Sequence, residues 1–281
     1  MRKRYFWKLK HRELNLGERT LLMGVLNVTP DSFSDGGKYS DPDRAFARAL
    51  ELEEEGADIL DIGAESTKPG SARISAAEEL RRLIPVLKRL KDKLTIPISV
   101  DTYKSEVAER AFELGAEIVN DPSGLTFEPQ LARTVSNHDG ALVLNHMRGR
   151  PETWAKLAPM REPVATIVKE LDAAVNRARG VGIDKSRLVI DPGFGFGKRK
   201  EQNSLILDRL GELAALDMPI LVGPSRKSFL THASPVETNY ATAAAVAACI
   251  LRGAHIVRVH NVRDMRAAAD VADEILLTRE G

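Results

Sequence analysis

The sequence predicts a closed (β/α)8 barrel of the α/β class, a TIM barrel, with a short N-terminal β-hairpin. Three observations predict it. Continuous apolar runs, the mark of strands buried on both faces, recur eight times after Thr20. Amphipathic stretches with helix start and stop signals separate them, which implies a parallel sheet covered by helices. Eight such units in roughly 260 residues fit a closed barrel better than an open doubly wound sheet, the alternative arrangement of the same alternation. With no linker or low-complexity segment, residues 1–281 read as one domain: 1–19 the hairpin, 20–281 the barrel.

Residues 1–19 stand outside the rhythm. Tyr5-Phe6-Trp7 and the turn-like Asn15-Leu16-Gly17-Glu18 suggest a hairpin lying across one end of the domain. LLMGVL (21–26) is the first barrel strand, followed by a long loop and a helix from Asp43 to Glu55, with Asp41-Pro42 as start and Gly56 as stop. DILDIG (58–63) is the second strand. Ser75 and Glu78 have the spacing of a capping box, which opens a helix to Lys91. IPISV (96–100) leads to Asp101, and a helix runs from Lys104 to Leu114. EIVN (117–120) and ALVLNH (141–146) are the fourth and fifth strands. A long helix after Pro163 ends at Gly180. The sixth strand, Leu188 to Ile190, runs into Asp191-Pro192-Gly193-Phe194-Gly195-Phe196-Gly197-Lys198, a turn that lets something approach the backbone closely. PILVG (219–223) and HIVRVH (255–260) are the last two strands, followed by helices at 237–251 and 262–277. The alternation implies helices in the two remaining intervals as well, without marking their bounds.

Composition excludes several classes. Hydrophobic content of 43% and charged content of 29% are ordinary for a soluble enzyme. With 41 basic and 40 acidic residues the net charge is +1, which points to neither nucleic acid nor an acidic membrane as partner. The longest apolar run, 240–251, is too short to span a bilayer. The lone Cys249 sits in an apolar run, and no apolar region follows the basic N-terminus, so a reducing cytoplasm is expected.

In such a barrel the strand tips meet at one mouth. They supply Asn27, Asp61 and Thr67, Asp101, Asn120, His146, Asp191, Ser225 with Lys227, and Arg258 with His260. Polar tips also occur simply because strands end in water, and a Gly-rich turn is often only a tight connection. The subset Asp101, Asn120 and Asp191 nevertheless suits a flat, nitrogen-rich ring, since a carboxylate accepts two parallel bonds and an amide both gives and accepts. Lys227 would donate to a ring carbonyl or ring nitrogen. Phe194 and Phe196 offer flat apolar surface beside Asp191. Arg258 and His260 alternate with Val259 and read as an anion cradle beside Asn27. Gly197-Lys198 is not a Walker loop, because Arg199 follows. Nothing stands at zinc-ligand spacing, so a divalent ion would be Mg2+ held through a ligand's phosphates.

The segments LNVTPDSFSDGG (26–37), DIGAESTKPG (61–70), SVDTYK (99–104), IVND (118–121), DPGFGFGK (191–198), SRKS (225–228) and HIVRVHNV (255–262) resemble, in order, the signatures of the dihydropteroate synthase family. The resemblance implies a (β/α)8 barrel of folate synthesis, usually a homodimer and a sulfonamide target. It implies a reaction that joins 6-hydroxymethyl-7,8-dihydropterin diphosphate to 4-aminobenzoate and releases diphosphate with Mg2+. It assigns pterin binding to Asp101, Asn120, Asp191, Lys227, Met147 and Phe196. Diphosphate falls to Asn27, Thr67, Lys68, Arg258 and His260, with Asn27 also on the metal. Aminobenzoate falls to Phe33, Thr67, Pro69, Phe196, Ser225 and Lys227. Asp101, Lys227, Arg258 and His260 form the catalytic group. The chain departs from the family pattern at Lys68, Pro122 and Pro224 and in the glycine-poor segment after Ser228. A pterin-dependent methyltransferase module and a non-catalytic pterin-binding paralogue are the alternative readings. The loops 27–42 and 63–76, rich in Gly, Pro, Ser, Thr and Asp, are expected to form the aminobenzoate site only when the pterin diphosphate arrives.

Overall fold

The computed structural model describes residues 2–29, 42–67 and 70–278. Eight parallel strands form the barrel: β3 (Leu21–Asn27), β4 (Ile59–Gly63), β5 (Ile98–Asp101), β6 (Ile118–Asp121), β7 (Ala141–Asn145), β8 (Leu188–Asp191), β9 (Leu221–Val222) and β10 (Ile256–Val259). They pair in chain order from β3 to β8, and β10 lies between β3 and β9. The ring closes between β8 and β9 through an Ile190–Ile220 bridge, with the Ile190 N–H donating to Pro219 O at 3.0 Å. The seventh barrel strand is shorter than the run PILVG suggests. Pro219 has no N–H to give, and the Ile220 N–H is taken by the side chain of His255, Nδ1, at 3.0 Å. His255 must then carry its proton on Nε2, which reaches Lys3 O at 2.9 Å. Burial holds its pKa down at about 4, so the ring stays neutral.

The helices α1 (Pro42–Glu54), α2 (Ala76–Leu90), α3 (Ser105–Glu113), α5 (Pro163–Gly180), α7 (Pro235–Leu251) and α8 (Val262–Leu277) fall where the sequence places them. Asp41, expected as the start signal of α1, lies outside the described residues. Two helices without sequence-marked bounds are α4 (Gln130–Asn137) and α6 (Lys200–Asp208). Each is short, and α4 opens at Pro129 without a side-chain cap, so neither carries the usual signature. At α2 only half of the anticipated box forms. Ser75 Oγ accepts the Glu78 N–H at 3.2 Å, but the Glu78 carboxylate turns to Arg81 and Arg82 instead.

The hairpin is real, but its turn is elsewhere. β1 (Tyr5–Lys8) pairs antiparallel with β2 (Glu13–Leu16), and the chain turns at 9–12, where the Leu9 N–H meets Arg12 O. Asn15 and Leu16 are strand residues. The reason is alternation: Trp7 and Leu16 are completely buried, and only this register puts both on the barrel side. Trp7, Leu9 and Leu16 pack with Leu21, Met23, Ile59, Ile118, Val143, Val189 and Ile256 as one cluster, so the hairpin is the floor of the barrel. Trp7 Nε1 donates to Arg187 O at 3.1 Å, which satisfies its one polar atom. A second and larger apolar layer fills the space between strands and helices. The floor leaves the opposite end, where the strands finish, as the open mouth.

Candidate active site

At the end of β8 the chain needs three left-handed residues in five. Gly193, Gly195 and Gly197 have φ of +69°, +82° and +69°. A Cβ on Gly193 would lie 2.0 Å from His146 O, and one on Gly197 would lie 2.7 Å from Arg148 O. Only glycine fits there. The two phenylalanines between them part company. Phe194 is buried against Phe229 in the core, contrary to the expectation that both rings face the site. Phe196 alone faces the mouth, edge-on to Trp154, with Lys227 Nζ 4.0 Å from its ring centroid.

Lys198, set aside in the sequence because it fits no phosphate loop, folds back beneath this turn. Its Nζ donates to Gly193 O at 2.6 Å, His146 O at 2.9 Å and Phe196 O at 3.3 Å. Three converging carbonyls match the three N–H donors of an ammonium group. The turn bearing Asp191 and Phe196 is thus pinned to the end of β7. His146 turns away from the mouth toward Glu170 on α5, 2.8 Å from Nε2.

Asp191 is buried at the tip, with Oδ1 accepting the Gly193 N–H at 2.7 Å. Burial pushes its carboxyl up to about 6, against the pull of that bond and of Lys227. Lys227 follows a tight turn in which its N–H meets Pro224 O at 3.2 Å and Arg226 adopts φ +56°. The loop therefore accommodates Pro224. Desolvation and the neighbouring Arg258 push the Lys227 ammonium down to about 8, while Asp191 and Asp101 pull it up.

Across the mouth, a network centred on Asp61 occupies the inward positions of β4, β5, β6 and β10. Asp61 is completely buried. Its Oδ2 accepts Arg258 Nε at 2.6 Å and Asn120 Nδ2 at 3.2 Å, and Arg258 Nη2 continues to Asp101 Oδ2 at 2.8 Å. Burial pushes the Asp101 carboxyl upward, while Arg258 draws it down. Arg258 is therefore engaged with two carboxylates, leaving Nη1 uncommitted among the described residues. His260 Nδ1 lies 3.0 Å from Ser225 Oγ, a contact that joins the expected anion and aminobenzoate groups. Gly63, the tip of β4, keeps the space between Asn27 and Asp101 open; a Cβ there would lie 3.5 Å from Asn27 Oδ1 and 3.6 Å from Asp101 Cβ.

The structure thus brings together Asp101, Asn120, Asp191, Lys227, Phe196, Arg258, His260, Ser225 and Asn27 at one mouth. Met147 is buried just beyond the β7 tip. Thr67 is half-buried at the end of the described part of its loop. Phe33, Lys68 and Pro69 lie outside the described residues. Sequence reasoning named Asp61 without giving it a role. Its signal was available: an acidic residue inside an otherwise apolar strand needs a buried cation.

A barrel mouth that gathers the carboxylates of Asp101 and Asp191, the amide of Asn120, the ammonium of Lys227 and the ring of Phe196 defines a class. The family description "Pterin binding enzyme" matches residues 23–260. At finer grain, dihydropteroate synthase of Synechocystis sp. is 43% identical over 92% of this chain and 91% of that protein. The structure of Xanthomonas albilineans dihydropteroate synthase with 4-aminobenzoic acid superposes with a TM-score of 0.90 at 39% identity, covering 98% of this chain and 99% of that one. The same enzyme in complex with 7,8-dihydropteroate gives 0.86 at 38%, covering 96% and 98%. This chain belongs to the dihydropteroate synthase family.

Proposed function

We propose that this chain condenses 6-hydroxymethyl-7,8-dihydropterin diphosphate with 4-aminobenzoate, giving 7,8-dihydropteroate and diphosphate. The observation that carries the reading is the facing arrangement of acceptors and one ammonium around Phe196. Asp191 and Asn120 accept and give along the amidine edge of the pterin, Lys227 donates to the ring, and Phe196 and Met147 bound its faces. Asp101 stands near the methylene carbon, where positive charge develops as the C–O bond to diphosphate breaks. Arg258 Nη1, His260, Thr67 and Lys68 receive the departing anion. Ser225, Lys227, Phe33, Thr67, Pro69 and Phe196 hold the aminobenzoate, whose amine then attacks the methylene.

Mg2+ fits this donor set. Asn27 offers one amide oxygen, a hard ligand, into the space that Gly63 leaves open. The rest of its coordination would come from the phosphate oxygens of the pterin diphosphate and from water. When bound, Mg2+ supplies charge neutralisation of the leaving diphosphate.

The direct test is diphosphate release from the pterin substrate with and without aminobenzoate. Release that ignores aminobenzoate, or no release, would refute the assignment. Aminobenzoate alone should bind the protein very weakly and at least tenfold tighter once Mg2+ and diphosphate are present. Ordering loop residues costs roughly 1–2 kcal/mol each, and the anion would offset it. Equal affinity in both conditions would mean the pocket is preformed.

We also propose a homodimer through α7 and α8, which pack against each other. In the Ala-rich stretch 241–251, Thr242, Ala245, Val246, Cys249 and Ile250 are buried within the chain. The apolar surface lies instead at Val236, Tyr240, Val271, Ile275 and Leu277, all exposed. Tyr240→Glu should shift sedimentation from dimer to monomer at micromolar concentration, and an unchanged dimer would exclude this face. A cytoplasmic setting suits the lone, buried Cys249 thiol, and no helix among the described residues is long and apolar enough to cross a membrane.

A further inference from the structure

Beside the mouth, between α2 and the end of β5, lies a buried charged cluster that the reaction above does not use. Lys104 Nζ donates to Glu65 Oε2 at 2.6 Å and to Glu79. The three side chains are 9%, 11% and 1% exposed. Glu65 lies two residues before Thr67, at the base of the loop that follows β4. It gathers two more donors, Tyr103 OH at 3.1 Å and the Ile74 N–H at 3.2 Å. Arg82 Nη1 holds the adjacent Ala64 O at 2.9 Å. The loop is therefore gripped at one point from both of its arms.

Stability alone does not account for this cluster. Burial pushes the Glu79 carboxyl up against the pull of Lys104, and Glu79 Oε1 has no partner among the described residues. Apolar side chains of similar volume would hold a fold as well or better. What charged, directional contacts add is a fixed geometry. The location gives that geometry a use. The segment SVDTYK carries Asp101 into the mouth and, three residues on, Lys104 into the cluster. The Lys104 N–H donates to Thr102 Oγ1 at 3.2 Å and keeps the two residues in a set relation.

We propose that Lys104 and Glu65 are positioning residues for the arylamine half of the reaction, locking the segment that leads to Thr67 onto the backbone that carries Asp101. The pterin wall and the segment that leads to Thr67 then share one anchor, which sets the distance between the amine and the methylene. The inference rests on the role proposed above for Thr67. Misplacement by an ångström is costly in a reaction that depends on alignment.

The test compares the full chain with Glu65→Gln, Lys104→Met, the double variant and Tyr103→Phe. Aminobenzoate is varied at saturating pterin diphosphate and Mg2+, and binding of 6-hydroxymethylpterin is measured by calorimetry. Glu65→Gln and Lys104→Met should each raise KM for aminobenzoate about tenfold or more and lower kcat, while pterin Kd stays within about twofold. The double variant should be little worse than either single one, because the two residues act as a unit. Tyr103→Phe removes one donor from a partly exposed site and should raise the same KM by about twofold to threefold. It decides the matter if the stronger variants misfold. Unchanged KM in folded variants, or equal loss of pterin and aminobenzoate affinity, would overturn the role. Wild-type turnover with flat KM across the variants would remove this inference alone, whereas absent wild-type turnover would remove the reaction as well.

Discussion

Asp191→Asn should lose pterin affinity by a hundredfold or more and at the same time make the empty protein more stable. The two effects share one cause. Among the described residues the Asp191 side chain, held out of water, accepts one hydrogen bond, from the Gly193 N–H, and an amine-rich ring edge would supply the donors it lacks. An amide in its place presents N–H to N–H on one side, which costs about 1–3 kcal/mol for a neutral mispair and more for a charged one. Without ligand the same burial is a burden. The carboxyl is held at about 6 instead of its usual 3.8. Stability tied to its protonated form is full below about 3.8 and lost as pH rises through about 6. The variant should therefore gain on the order of 1–3 kcal/mol at pH 7.5 and little at pH 4. Urea unfolding at the two pH values, with pterin calorimetry, checks both halves. Wild-type pterin affinity in the folded variant would remove Asp191 from the site.

Arg258→Ala should be the most damaging single change at the mouth. It strips the cation from Asp61 and Asp101 together, leaving Asn120 as the remaining donor to Asp61. Removing one partner of a buried ion pair costs about 3–5 kcal/mol, because the other charge stays behind. Asp101, whose carboxyl burial already pushes up, should then take up a proton more readily, its folded pKa raised further once Arg258 no longer draws it down. The penalty is thus smallest below the unfolded carboxyl value and grows as pH rises through the raised one. Unfolding at pH 5 and pH 8 should show the larger deficit at pH 8. Arg258→Lys, a point charge in place of a fork, should recover part of it. A deficit that does not vary with pH would mean the carboxylates are compensated elsewhere. Diphosphate affinity should fall in the same variant, through loss of Nη1.

The division between what the sequence revealed and what it concealed follows the range of the interactions. Strand periods and tip residues are local, so the barrel and the positions of Asp101, Asn120, Asp191 and Lys227 could be read directly. The bond from Arg258 to Asp61 spans 197 residues and exists only because the ring closes. No spacing could announce it, and Arg258 therefore read as a free cation for an anion. The bonds of Glu65 and Lys198 were concealed for a related reason. Their partners are a lysine on another strand's loop and three backbone carbonyls, and carbonyls leave no mark on a sequence. The hairpin turn was misplaced because Asn15-Leu16-Gly17 has turn composition, while burial of Leu16 outweighs it. The short α4 has no side-chain cap, and α6 is capped only by Gln202 Oε1 on the Arg199 N–H, so local signals had little to report.

The floor of the barrel also determines how this protein tolerates being re-wired. Arg2 donates to Ala254 O and to Asp273, near the last turns of α8, so the two ends of the described chain meet on the face opposite the mouth. A few flexible residues would bridge them, and new ends could be opened in a surface connection without disturbing a strand tip. By the same geometry, a partner domain or a solid support attached at either end would hang beneath the barrel. Substrates would still enter from above, and tethering would leave the path to Asp191 clear.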